Sequence, residues 1–227
     1  MEYLSTRNDK ISEKFEHIFI KGLSDDGGLF LPKQIKKLSD KEFLNLRNLS
    51  YVDLATEIIS RFTGDFCSNE KLHQIVKKSY STFNEHNVVK IKKVEDLHVL
   101  ELFHGPTLAF KDVAMQLIGN FYEYYLSKNT KKINIIVATS GDTGAAAIDA
   151  VKGKKNINIF VLHPNNRISP VQRMLMTTNP SKNVFNIAVE GNFDDCQKLV
   201  KEMFSDNEFS KSINMSGVSS INWARIV

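Results

Sequence analysis

Three short runs of β-branched and apolar residues, each followed by a helical pattern, limit the folds open to this chain more than any other feature. Ile133–Ala138, residues 157–162 and Val184–Val189 each have the length and composition of a strand buried in a sheet. An alanine-rich helix follows the first, to about Lys152. A second helix starts at Ser169-Pro170-Val171-Gln172, with serine as cap and proline in the first helical position. A third covers residues 194–204. Strand and helix alternating at this spacing predict βαβ units in a parallel sheet, so the fold class is α/β.

Residues 1–95 read differently, as a mostly helical segment. Ser39-Asp40-Lys41-Glu42 is a capping-box pattern. Helical spacing follows in Leu54, Ala55, Ile58, Ile59 and Phe62 from near Asp53, and in Leu72, Ile75, Val76 and Phe83 from near Asn69. Before these, Asp25-Asp26-Gly27-Gly28 is a turn, and Leu29-Phe30-Leu31 is a short apolar run ended by Pro32. The α/β domain then covers residues 96–227. It opens with a strand at 99–103, closed by His104-Gly105-Pro106. A helix from Lys111 follows, with Val113, Leu117, Ile118, Phe121, Tyr122 and Tyr125 on a period near 3.6. Asn222 to Val227 looks like the opening of an amphipathic helix, which reads as part of a longer enzyme.

Charge and cysteine content exclude several functions. The formal net charge is +4, but Lys and Arg are interspersed with Asp and Glu, without the clustered basic stripe that nucleic-acid binding needs. No apolar run is long enough to span a bilayer, and the first residues resemble no targeting segment, so a cytoplasmic protein is expected. Cys67 and Cys196 have no metal-ligand spacing and read as small buried hydrophobes in a reducing compartment. No histidine has a partner at metal-ligand spacing; Asp194 and Asp195 read as a helix N-cap and a first-turn acid.

Two places carry candidate chemistry. Lys111 falls in the first turn of its helix, where the macrodipole disfavours a cation by roughly 0.3–1 kcal/mol and so favours the free amine that a Schiff-base lysine needs. On these grounds alone a surface lysine is the commoner outcome. Ser140-Gly141-Asp142-Thr143-Gly144 lies at the carboxyl end of a strand and opens a helix, where backbone N–H groups attract anions. It could cradle a carboxylate or a phosphate, or be a tight turn. Neither GxGxxG nor GxxxxGK[ST] is present, so a nucleotide site is not expected.

The stretch Glu101-Leu102-Phe103-His104-Gly105-Pro106-Thr107-Leu108-Ala109-Phe110-Lys111-Asp112 resembles the lysine segment of threonine synthases, and Ala138-Thr139-Ser140-Gly141-Asp142-Thr143-Gly144-Ala145-Ala146 resembles their substrate-side loop. Tyr3-Leu4-Ser5-Thr6-Arg7, Ile168-Ser169-Pro170-Val171-Gln172 and Gly191-Asn192-Phe193-Asp194-Asp195-Cys196-Gln197 fit the same family. The resemblance implies the tryptophan-synthase-like fold (fold type II) of enzymes that use pyridoxal 5'-phosphate (PLP), here without the C-terminal half of the family fold. It implies conversion of O-phospho-L-homoserine and water to L-threonine and phosphate. Lys111 would hold PLP and move protons, while Ser140, Gly141, Asp142 and Thr143 would hold the substrate carboxylate. The related lyases often carry asparagine where Asp142 stands. The resemblance also puts the glycine-rich loop for the cofactor phosphate after residue 227, so Gly191-Asn192-Phe193-Asp194 is not assigned to phosphate. Asn214 to Ser220 departs from the family's Asn-Ser-x-Asn run beside the cofactor. Two rival readings are a non-catalytic relative acting as a binding module and another PLP lyase of the same fold.

Overall fold

The computed structural model describes residues 1–218 and 222–226 and divides into two compact units. Residues 1–101 with 222–226 form the first; Leu102–Val218 form the second.

The first unit is less purely helical than expected. Strands β1 (Glu2–Ser5), β2 (Ser12–Lys14) and β3 (Phe30–Pro32) make an antiparallel sheet in the order β2-β1-β3. These strands are only three or four residues long, too short to show an alternating pattern in the sequence. Between β2 and β3 lies α1 (Phe15–Lys21), whose Phe15, Ile18 and Phe19 are buried. Phe15, Phe19 and Phe66 pack edge-on or stacked within 6.2 Å of one another, and Tyr3 joins them. The three expected helices are present as α2 (Asp40–Leu46), α3 (Tyr51–Thr63) and α4 (Asn69–Tyr80). Ser39 and Glu42 form the expected capping box, whereas Ser50 and Ser68 cap the other two. The strand expected at 99–103 lies two residues earlier. It pairs antiparallel, as β5 (Leu97–Glu101), with β4 (Lys90–Val94) in a hairpin. A short C-terminal helix, α10 (Trp223–Ile226), begins behind Asn222, whose amide donates to the Phe19 carbonyl at 2.7 Å. Ser219, Ser220, Ile221 and Val227 lie outside the described residues.

The second unit is the expected α/β layer structure. It runs α5 (Lys111–Ser127), β6 (Ile133–Ala138), α6 (Asp142–Val151), β7 (Ile157–Pro164), α7 (Pro170–Thr177), β8 (Val184–Val189), α8 (Phe193–Ser205), α9 (Asn207–Ser212) and β9 (Met215–Ser216). The strands are parallel in the order β8-β7-β6-β9. β9 has two residues and α9 six, below what periodicity resolves. Successive side chains of β7 point to opposite faces. Phe160 and Leu162 pack with Ile136, Cys196, Val200 and Met203 on the α8 side. Val161 faces the other way, toward Gly144 of α6 and Met176 of α7. Because all four strands run the same way, the loops after β6, β7 and β8 emerge at one edge of the sheet.

Helices α5 and α6 approach unusually closely. A Cβ on Gly119 would lie 2.3 Å from the Ala150 carbonyl oxygen, so only glycine fits without a shift of backbone. This contact fixes α5, which starts with Lys111, against α6, which starts with the Gly141-Asp142 loop.

Candidate active site

A locked turn delivers Lys111 to the start of α5. The Leu108 N–H donates to the Gly105 carbonyl at 3.1 Å, and Leu108 takes the left-handed conformation with φ of 59°. Asp112 holds the turn from the helix side. Its carboxylate accepts from the Thr107 N–H at 2.8 Å and the Thr107 hydroxyl at 2.6 Å. Gly105 leaves room for it: a Cβ there would sit 2.4 Å from that of Asp112. Lys111 is therefore set by the residues on both sides of it. Its side chain is 16% exposed, with the Nζ 3.3 Å from Asp142 Oδ2 and 4.4 Å from the centre of the Phe110 ring. The helix dipole opposes a cation at this end, and the Asp142 carboxylate supplies the countercharge.

Burial raises the Asp112 carboxyl above the ordinary carboxylate range, with Asp149 adding to the shift, against the opposing pull of the Thr107 and Ala109 hydrogen bonds. An acid raised in the folded state binds its proton more tightly there than when unfolded. Its contribution is thus fully favourable below the ordinary carboxylate value and is lost as pH rises through the raised one. Asparagine can keep both bonds, accepting from the Thr107 N–H and donating to its hydroxyl. Asp112→Asn is expected to match wild-type stability in acid, where the carboxyl is protonated, and to lack this decline towards neutral pH. Asp112→Ala leaves the Thr107 donors unpaired and is expected to cost about 1–3 kcal/mol. Urea unfolding of the three proteins across the acid-to-neutral range checks both.

The second part of the site is the loop between β6 and α6. Thr139, 1% exposed, accepts from the N–H groups of Gly141 and Gly144, each at 2.9 Å, and so folds the loop back on the strand end. Gly141 has φ of 136°. The Asp142 side chain bridges two elements, meeting Lys111 through Oδ2 and the Gln172 amide of α7 through Oδ1. Among the described residues no acceptor meets the N–H groups of Asp142 and Thr143, the first-turn donors of α6, and the Ser140 side chain is exposed. Unpaired N–H groups at a helix start are a receptor for a carboxylate or phosphate.

Lys111 and Asp142 are thus in contact, and Ser140, Gly141 and Thr143 share the Asp142 loop. Three partners were read only as parts of family-like stretches, with no role at the site: Thr139, Asp112 and Gln172, the last also as part of a helix start. Other expectations change in detail. Asn192, not Asp194, caps α8, with Asp195 completing a capping box, so Gly191-Asn192-Phe193-Asp194 is a helix start. Cys196 is buried and Cys67 partly so, and neither is in a disulfide. Among the described residues no group of three or more His, Cys, Asp or Glu is placed to hold a metal.

Comparison with known proteins gives this geometry a family. Residues 2–80 match the family described as the threonine synthase N terminus. The chain is 44% identical over 241 residues to the threonine synthase of Eremothecium gossypii, covering 99% of this chain and 47% of that protein. The crystal structure of PLP-bound threonine synthase from Brucella melitensis superposes on it with a TM-score of 0.93 at 45% identity, covering 100% of this chain and 49% of that one. Along its whole length the chain is similar to about half of each threonine synthase, beginning with that family's N terminus. The threonine synthase of yeast agrees, with a TM-score of 0.92 at 43% identity over 99% of this chain and 47% of that one. The chain therefore spans about half the length of the threonine synthases it matches.

Proposed function

We propose that this chain carries the lysine side of a PLP site, and that its reaction is that of the threonine synthases: O-phospho-L-homoserine and water to L-threonine and phosphate. One observation supports this above the others. A partly buried amine stands 3.3 Å from a loop whose first helical N–H groups have no acceptor among the described residues. The residues fit the cofactor's aldehyde end, since the donor set pairs a primary amine with an anion-receptive loop. When bound, PLP supplies an electron sink for carbanion chemistry next to the substrate nitrogen.

Lys111 would hold the cofactor and afterwards accept and return protons from its Nζ. Asp142 sits where it can share the proton on that amine. The N–H groups of Asp142 and Thr143, with the Ser140 hydroxyl, would bind the substrate carboxylate, and Gly141, whose N–H is held by Thr139, would let it approach the backbone closely. Thr139 keeps that loop in place. Asp142 in place of the asparagine common among related lyases supports O-phosphohomoserine as substrate. Residues 1–95 would then be the family's N-terminal segment and 96–227 its PLP-dependent domain. A cytoplasmic location fits a biosynthetic enzyme, and no described helix is long and apolar enough to cross a membrane.

The test is absorbance with added PLP, followed by a phosphate assay. A band near the visible edge that borohydride removes, together with phosphate release from O-phosphohomoserine, is the expected result. Turnover of an O-acetylated amino acid instead points to another lyase. Absence of any band overturns the proposal in favour of a non-catalytic relative.

A further inference from the structure

Gln172 reaches the site from a different element. The Ser169 hydroxyl accepts from the Gln172 backbone N–H at 3.2 Å and donates to its side-chain Oε1 at 3.1 Å. That fixes which way the amide faces, so its Nε2 donates to Asp142 Oδ1. The other carboxylate oxygen is the one that meets Lys111. Gly141 makes the reach possible: a Cβ there would lie 2.4 Å from the Gln172 amide carbon and 2.5 Å from its Oε1. Nearly half of the Asp142 side chain, 46%, is exposed, so without a second bond it could swing to water.

We propose that Gln172 is a positioning residue for the site amine: it clamps Asp142 so that the carboxylate partners Lys111, and through it governs how readily that amine reacts. Ser169 orients Gln172, Gln172 orients Asp142, and Asp142 holds the Lys111 ammonium. The helix after β7 is thereby coupled to the loop after β6. This deepens the proposed function, because it takes Lys111 as the site amine.

Competitive acetylation with acetic anhydride at one mildly alkaline pH tests it. Peptide mass spectrometry compares Lys111 with the exposed Lys182 of the same chain. Asp142→Asn removes the partner of the amine, and Lys111 labelling is expected to rise about one-and-a-half to fivefold, the range for a partly exposed ion pair. Gln172→Met keeps the shape without the donor and is expected to raise labelling in the same direction. In the double variant labelling should equal that of Asp142→Asn alone, because Gln172 acts only through Asp142. A merely structural glutamine would not give that equality. Should Gln172→Met fail to fold, Gln172→Leu also lacks the donor without adding charge, and the same rise is expected. Wild-type labelling in the Gln172 variants, or an increase that persists on the Asp142→Asn background, overturns the proposal. Acetylation needs no cofactor, so a chain that takes up no PLP still reports on the clamp. An unaltered Lys111 in a chain that does take up PLP defeats the clamp alone.

Discussion

Lys111→Ala is expected to abolish the borohydride-sensitive absorbance that the chain acquires with PLP. The amine is the only group of the proposed site able to condense with an aldehyde, and no neighbouring lysine of the second unit shares its turn. Asp112 still accepts from Thr107 in the variant, so the turn and the fold should survive, and the loss should be one of chemistry. Where turnover of O-phosphohomoserine is measurable, removing the proton-transferring group is expected to lower it by about a hundred- to ten-thousandfold. Absorbance, phosphate release and a urea unfolding curve on the same preparation separate the two effects. A variant that loses the band and also unfolds early would show that Lys111 is part of the scaffold.

Gly119→Ala is expected to have the second largest effect, and its sign is the informative part. In an exposed helix interior this change stabilises by about 1 kcal/mol, since alanine is the better helix former. Here the added methyl meets the Ala150 carbonyl oxygen at 2.3 Å, a backbone atom that no rotamer change can move aside. Helices α5 and α6 must separate, and overpacking of this kind costs about 1–3 kcal/mol. A net destabilisation, read as a lower urea midpoint with unchanged slope, is therefore expected. Since Lys111 opens α5 and Asp142 opens α6, their separation should also weaken the ion pair between them. Lys111 acetylation should rise in Gly119→Ala although neither partner is altered.

The parallel sheet and its helices were legible because their strands are long enough for a pattern. Ile133–Ala138 and Val184–Val189 run between the same residues in sequence and structure, and β7 is only two residues longer than expected. What escaped was short or paired at a distance. Tyr3 and Ser5 alternate with Leu4 as a strand should, but four residues cannot establish a period. The β9 strand has only two residues and gains its place by pairing with β6, far away in sequence. One helix cap failed in the same way, while those at Ser39 and Ser169 stand as expected: Asp194 looks like a cap until the backbone shows Asn192 accepting from the N–H groups of Asp194 and Asp195. At the site, Lys111 and the Ser140 to Thr143 loop stood out through their motifs. Their contact could not, because residues 111 and 142 meet only once α5 and α6 are packed. Gln172 was hidden for the same reason, reading as part of a helix start until its far end was found on Asp142.

The most direct measurement is peptide mapping after the wild-type chain has been incubated with PLP, reduced with borohydride and digested. The phosphopyridoxyl mass is expected on the peptide containing Lys111, at that residue and at close to one per chain. Its appearance on another lysine, or its spread over many exposed lysines with none preferred, would contradict the account.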